Sequence, residues 1–144
     1  MEEGDAEWLY AILSDPSCMK YIEPVFSWEK TEEFLKEAGL CEEPKIYALL
    51  LKEEERPVGY VIYHPYEEDA WEIGRILNAQ DWNKGYAKEI TAALIKDARK
   101  RGIPYLVAEC VQEQKVTQHI LSQYGFRLTE TEALYVYVLD AGKM

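Results

Sequence analysis

The sequence predicts a single α/β domain spanning residues 1–144, in which a mixed sheet is covered by helices. Three observations predict it. A chain of 144 residues has the length of one domain with a substantial apolar core. Its apolar residues, 48% of the total, switch several times between helical stripes and short runs of β-formers. No repeat, low-complexity tract or Ser/Gly linker divides residues 5–140, which are read as one folding unit.

Asp5 is a plausible N-cap for a first helix, because Ala6, Leu9, Tyr10 and Leu13 then recur at helical spacing until Asp15-Pro16. Ser27 caps a second, in which Trp28, Thr31, Leu35 and Ala38 share a face before Gly39. Residues 45–52 and 57–63 are β-formers around the charged turn Glu53 to Arg56, the pattern of a hairpin. A third strand covers about 70–77. After the polar segment Asn78–Asn83, a helical stripe runs through Ala87, Ile90, Thr91, Leu94 and Ala98. Arg99, Lys100 and Arg101 suit the negative end of that helix, Gly102 its left-handed cap, and Pro104 stops it. Residues 105–111 form the next strand. Val116, Ile120 and Tyr124 mark a shorter helix closing at Gly125, and residues 134–139 end the sheet. The strand-helix-strand crossover over 70–111 is expected to be right-handed and parallel.

Charge and composition exclude several functions. With 16 basic against 27 acidic residues, the net charge of -11 has the wrong sign for a phosphate-backbone binder, so nucleic acid is not expected as a partner. The apolar run Ile46–Leu51 is far short of the ~20 residues that span a bilayer, and the start MEEGDAEW lacks a basic n-region; no membrane partner and a cytoplasmic location are expected. Cys18, Cys41 and Cys110 lack the spacing of a disulfide framework or zinc cluster, and His64 and His119 show no metal-ligand spacing. Free thiols and no metal are expected.

The most informative segment is AQDWNKGYAKEI, residues 79–90, which joins a strand to a helix through Asn83, Lys84 and Gly85. The first N–H groups of a helix have no internal partners, and glycine lets an anion approach without a Cβ in the way. Lys84 and Lys88 oppose the helix dipole there, which suits a negative ligand; the alternative is that both are solvated surface lysines. The patterns GxxxxGK[ST] and GxGxxG are absent.

The stretch EIGRILNAQDWNKGYAKE, Glu72 to Glu89, resembles the acetyl-CoA pyrophosphate motif of the GNAT superfamily of N-acetyltransferases, especially its RimJ/RimL-like branch. AECVQEQKVTQHILSQYGF, 108–126, is similar to that branch's second signature, with Gln114, Thr117, Gly125 and Phe126 at its marked places. The resemblance covers roughly residues 5–140. It implies a mostly antiparallel mixed sheet of about six strands, flanked by four helices, with a splayed parallel strand pair. Trp82 stands where many members have Arg or Gln, Asn83 where Gly is common, and Asp81 where an aromatic is usual. Asp81 thus brings a negative charge near the implied pyrophosphate site. The family's first strand has no evident counterpart.

The resemblance implies that an amine attacks the acetyl-CoA thioester directly, with no acyl-enzyme and no metal. It assigns the diphosphate to main-chain amides of Asn83, Lys84, Gly85, Tyr86 and Ala87, with Trp82, Lys88 and Gln114 beside them. The pantetheine arm falls to the backbone of Ile76 and Leu77, and an N–H near Leu77 to the oxyanion. Deprotonating a Lys-like ammonium at neutral pH costs roughly 4 to 5 kcal/mol, whereas an α-amine costs about 1. A base is therefore needed, and Glu72 is the candidate, through water, once partial burial raises its pKa. The tyrosine that many members use as general acid is replaced by Leu121, so Thr117 and Tyr124 are the candidates for that role. A solvated Glu72 and packing roles for Thr117 and Tyr124 are the rival readings. Cys110 reads as a buried strand thiol, and Glu53–Glu55 and Glu67–Asp69 as solvated turns. The expected partners are acetyl-CoA, an amine acceptor and a second copy paired along an exposed strand edge near 134–139. Two further readings stay open: a noncatalytic acyl-CoA-binding or regulatory module, and an unrelated phosphate-sensing domain.

Overall fold

The computed structural model describes residues 1–131 and 134–142 and follows the expected element order. Helix α1 spans Ala6–Leu13, but Asp5 does not cap it. A 3-10 turn, Glu3–Asp5, precedes the helix, so Asp5 is already helical and its carboxylate reaches back to the Glu2 N–H at 2.6 Å and on to the Trp8 indole at 2.8 Å. Asp15 instead caps a one-turn helix, α2 (Pro16–Met19), accepting from the Ser17 N–H at 2.8 Å, with Pro16 placed where its missing N–H costs nothing. Ser27 caps α3 (Trp28–Phe34) through the Lys30 N–H at 3.1 Å, and the helix runs on as a π turn, Leu35–Gly39. The same face stays buried through Thr31, Leu35 and Ala38.

The remaining elements are β1 (Ile46–Leu50), β2 (Pro57–Glu67), β3 (Ala70–Leu77), α4 (Tyr86–Arg101), β4 (Tyr105–Cys110), α5 (Lys115–Gln123), β5 (Arg127–Thr131) and β6 (Tyr135–Asp140). The six strands form one mixed sheet in the order β1-β2-β3-β4-β6-β5. Its parallel pair, β3 and β4, registers over Ala70↔Tyr105, Trp71↔Leu106 and Glu72↔Val107, after which β3 continues to Leu77 and β4 to Cys110. Five α-helices are present among the described residues rather than four, because α2 is added.

Two compact units make up the chain, and both β2 and β3 pass from one to the other. The first comprises Met1–Tyr63 and Arg75–Lys84. Its core gathers Leu9, Ile12, Leu13, Phe26, Leu35, Ile46, Tyr60 and Ile76. Strands β1 and β2 pair antiparallel from Ile46↔Ile62 to Leu50↔Pro57, with a bulge at Leu49/Leu50. Gly59 is where β3 comes closest: a Cβ there would lie 2.1 Å from the Ile76 carbonyl oxygen, so only a bare Cα admits that backbone.

The second unit comprises His64–Gly74 and the described part of Gly85–Met144. Helix α4 ends at Gly102, left-handed at φ 76°, as the sequence indicates. Strand β6 pairs with β4 from Tyr105↔Asp140 to Cys110↔Tyr135 and with β5 on its other side. Two expectations are corrected here. Residues 134–139 are not a sheet edge, because the returning strand β5 covers them; the edge on this side is β5. Val116 is 74% exposed and does not belong to the buried stripe, since the core-facing residues of α5 are Ile120 and Leu121.

Candidate active site

In the first unit, β3 ends at the buried pair Ile76 and Leu77 and gives way to a 3-10 turn, Ala79–Asp81. The Leu77 carbonyl accepts the Trp82 indole N–H at 3.1 Å and the Cys18 thiol at 3.5 Å, which ties loop and strand end together. Trp82 remains 42% exposed. Burial, then the Asp15 carboxylate, push the Cys18 thiol up to about 11, so it is not a nucleophile at neutral pH.

Asp81 corrects the expectation of a charge beside the phosphates. Its side chain is fully buried, and Arg56 grips it bidentately, Nη1 to Oδ2 at 3.1 Å and Nη2 to Oδ1 at 2.8 Å. Lys84 Nζ lies 3.5 Å from the same Oδ1. The Arg56 hydrogen bonds hold the Asp81 carboxyl below the usual aspartate range despite its burial. The negative charge is thereby neutralised inside the loop, and Lys84 has a protein partner as well as an exposed position. Arg56 escapes a sequence reading because nothing local links the hairpin turn to a residue 25 positions away.

Asn83 and Gly85 both take positive φ, 62° and 82°. Asparagine tolerates this conformation and glycine prefers it, which explains both residue types in the turn. In the second unit Gly85 is the N-cap of α4, no side chain caps it, and a Cβ at Gly85 would meet no atom within 4 Å. Tyr86 and Ala87 follow half-buried and Lys88 exposed in the first turn. Gln114 heads α5, where its Oε1 accepts from the Val111 N–H at 2.9 Å and so holds the turn after β4. Thr117 lies in the first turn of α5 and Tyr124 at its C-cap; both are half-buried, and the seven-residue step from one to the other spans about 10 Å along the axis. Leu121, where a tyrosine acid would stand, is buried.

Glu72 is the expected residue with the richest surroundings. Its side chain is 24% exposed, and Oε1 lies 2.9 Å from His64 Nε2. The Glu109 carboxylate acts electrostatically on both Glu72 and the Tyr66 hydroxyl. Burial first, and then Glu109, push the Glu72 carboxyl above the ordinary glutamate range, while His64 pulls it back. Sequence reading finds Glu72 alone. Glu109 is legible in principle, since it shares a strand face with Val107, the register partner of Glu72. Among the described residues no group of three or more His, Cys, Asp or Glu is placed to hold a metal ion. No helix among them is long and apolar enough to cross a membrane.

Comparison with known proteins gives the family and the fold. The family model described as an acetyltransferase (GNAT) domain matches residues 1–127. The uncharacterized N-acetyltransferase YnaD of Bacillus subtilis (strain 168) is 29% identical over 130 residues, spanning 88% of this chain and 75% of that protein. The crystal structure of an acetyltransferase (GNAT family) from Bacillus anthracis superposes with a TM-score of 0.88 at 26% identity, over 99% of this chain and 93% of that one. Spermidine N-acetyltransferase from Vibrio cholerae, solved with CoA and spermine, shares the fold at TM-score 0.81 and 16% identity, over 99% and 94% of the two chains. The chain belongs to the GNAT family of acetyltransferases.

Proposed function

We propose that this chain is an acyl-CoA-dependent N-acetyltransferase that moves the acetyl group of acetyl-CoA to a primary amine, on a small molecule or a peptide or protein N-terminus, by direct attack. The start of α4 carries the proposal. Its N-cap glycine has positive φ, no capping side chain and open space where a Cβ would project, which suits a diphosphate on main-chain amides. The amides of Asn83 to Ala87 take that group, with Lys84 and Lys88 supplying positive charge. Trp82 is hydrogen-bonded to the Leu77 carbonyl and holds its own turn, and Gln114, spent on the Val111 N–H, holds the turn after β4. Ile76 and Leu77 offer backbone to the pantetheine arm. Acetyl-CoA supplies the thioester; the chain supplies orientation and a base, Glu72, with Thr117 or Tyr124 returning a proton to the thiolate. Assignment to the RimJ/RimL-like branch rests on the two sequence signatures, and a cytoplasmic location on cysteines without the spacing of a disulfide framework.

One observation favours a second reading, a noncatalytic acyl-CoA binder. The buried Leu121 cannot donate a proton. Asp81 gives that reading no support, because its charge is paired inside the loop.

Melting curves with acetyl-CoA, CoA and ADP, on the wild type and Gly85→Asp, test the cofactor site. Each ligand is expected to raise Tm of the wild type and not of the variant, whose side chain and charge occupy the diphosphate position. An equal response in both overturns the placement. Free-thiol release with a panel of amines then separates enzyme from binder.

A further inference from the structure

Arg56, at the end of the turn between β1 and β2, and Asp81, in the 3-10 turn after β3, stand 25 positions apart in the chain. They meet through two parallel hydrogen bonds, Nη1 to Oδ2 at 3.1 Å and Nη2 to Oδ1 at 2.8 Å. Asp81 is fully buried, whereas Arg56 keeps a third of its side chain exposed. Sealing a carboxylate from water is unfavourable, and an apolar side chain would anchor the loop without that cost. What the ion pair adds is direction, because a guanidinium fork fixes the plane of the carboxylate as well as its distance.

The backbone on both sides of the pair is strained. Among the described residues, Glu55 and Asn83 are the only non-glycine residues at positive φ, 54° and 62°. Glu55 immediately precedes Arg56, in a turn closed by the Glu55 N–H to the Leu51 carbonyl at 2.7 Å and the Leu51 N–H to the Arg56 carbonyl at 2.8 Å. Asn83 follows Asp81 by two residues and leads into Lys84 and Gly85. A left-handed glutamate persists only where the surrounding contacts impose it. The Asp81 N–H bonds the Asn78 carbonyl at 2.9 Å, and the Asn78 N–H bonds the Val58 carbonyl at 2.8 Å. The loop is thus tied to β2 through its main chain at Asn78 and to the hairpin turn through the side chain of Asp81, which sets the direction in which the chain enters Asn83.

We propose that Arg56 and Asp81 are positioning residues for the cofactor loop, and that their buried ion pair fixes the course of the chain into Asn83, Lys84 and Gly85 so that the amides there converge on the diphosphate. This role rests on the acetyl-CoA reading of the loop. It is geometric: the two charges of the pair cancel, and Lys84 remains the charge of the loop that can meet an anion.

Charge and position predict different signs for two single substitutions. If the pair acted on the ligand by charge alone, Arg56→Gln would weaken the binding of a diphosphate and Asp81→Asn would tighten it. Positioning needs both halves, so both substitutions are expected to weaken the calorimetric Kd of ADP and of CoA, by roughly tenfold. The ratio to the wild type is expected to persist as salt rises, because a misdirected loop is not screened. Arg56→Lys keeps the cation but loses the fork, and is expected to behave like Arg56→Gln. The titrations are run well below the Tm of each ligand-free variant, with folding checked by circular dichroism. Asp81→Asn nearly preserves the volume of the buried side chain, which guards against a folding defect in the Arg56 variants. A purely structural pair lowers Tm and leaves the Kd of the folded protein unchanged. That result, opposite shifts for Arg56→Gln and Asp81→Asn, or a wild-type Kd in Arg56→Lys overturns the proposal while the wild type still binds ADP and CoA. No binding of either ligand to the wild type overturns the acetyl-CoA reading of the loop, and this role with it.

Discussion

Asp81 and Glu72 are both carboxylates withdrawn from water, and the protein treats them in opposite ways. Asp81 faces a guanidinium that does not titrate, so its carboxyl is held low and stays ionised at neutral pH. Glu72 faces an imidazole and another carboxyl, partners whose own charge depends on a proton, and its carboxyl is held high. The difference teaches what separates a structural carboxylate from a chemical one. Burial alone does not decide it, since the more deeply buried of the two is the one fixed as an anion. The partner decides.

The largest expected effect comes from Glu72, the proposed base. Glu72→Gln keeps the shape of the side chain and removes its basicity, so kcat is expected to fall by about 10²-fold or more with Tm nearly unchanged. In the wild type, activity declines as pH falls through a Glu72 pKa raised above the ordinary glutamate value of ~4.3. A steady-state pH profile checks both statements, and an acidic limb at or below that value contradicts the assignment of Glu72 as base.

At Asp81 the expectation reverses. Arg56→Met leaves a fully buried carboxylate with Lys84 alone, and Tm is expected to drop on the order of 5 °C at neutral pH while the pH profile of turnover keeps its shape. A carboxyl whose folded pKa is depressed stabilises the fold fully above its unfolded value and loses that contribution as pH falls through the folded one. Wild type and Arg56→Met are therefore expected to differ in Tm at pH 7 and to converge below the ordinary aspartate value of ~3.9. A gap that persists in acid means that Arg56 contributes packing rather than charge.

The same contrast shows how much of the molecule is legible in its sequence. Element order, the stop of α4 at Gly102 and the strained turn at Asn83 and Gly85 follow from local chemistry, because periodicity, caps and positive φ are set by near neighbours. Gly85 can be assigned on the same terms. What stays hidden is pairing between distant segments. Arg56 reads as one more charge in a solvated turn until β1 and β2 bring it to Asp81, and Glu109 reads as a strand residue until the β3–β4 register puts it on the face of Val107, the partner of Glu72. Asp81 misleads for this reason: a carboxylate in a loop looks like a free charge when its partner lies in another element. Strand β5 is equally hard to see, because its five residues are all exposed and show no buried alternation.

Lys84 gives the smallest effect on stability and the sharpest test of the loop. Its Nζ lies 3.5 Å from Asp81 Oδ1, its side chain is 49% exposed, and Arg56 already satisfies both oxygens. A pair of this kind contributes little, so Lys84→Ala is expected to move Tm by no more than about 1 °C. Ligand binding is another matter, since a lysine just before the N-cap of α4 can turn from the neutralised Asp81 to a diphosphate. ADP titrations are expected to show a several-fold weaker Kd in Lys84→Ala, with the loss shrinking as salt rises. If Lys84→Ala instead destabilises the apo protein as much as Arg56→Met does, Lys84 belongs with the structural carboxylate, and the loop's positive charge is not held in reserve for a phosphate.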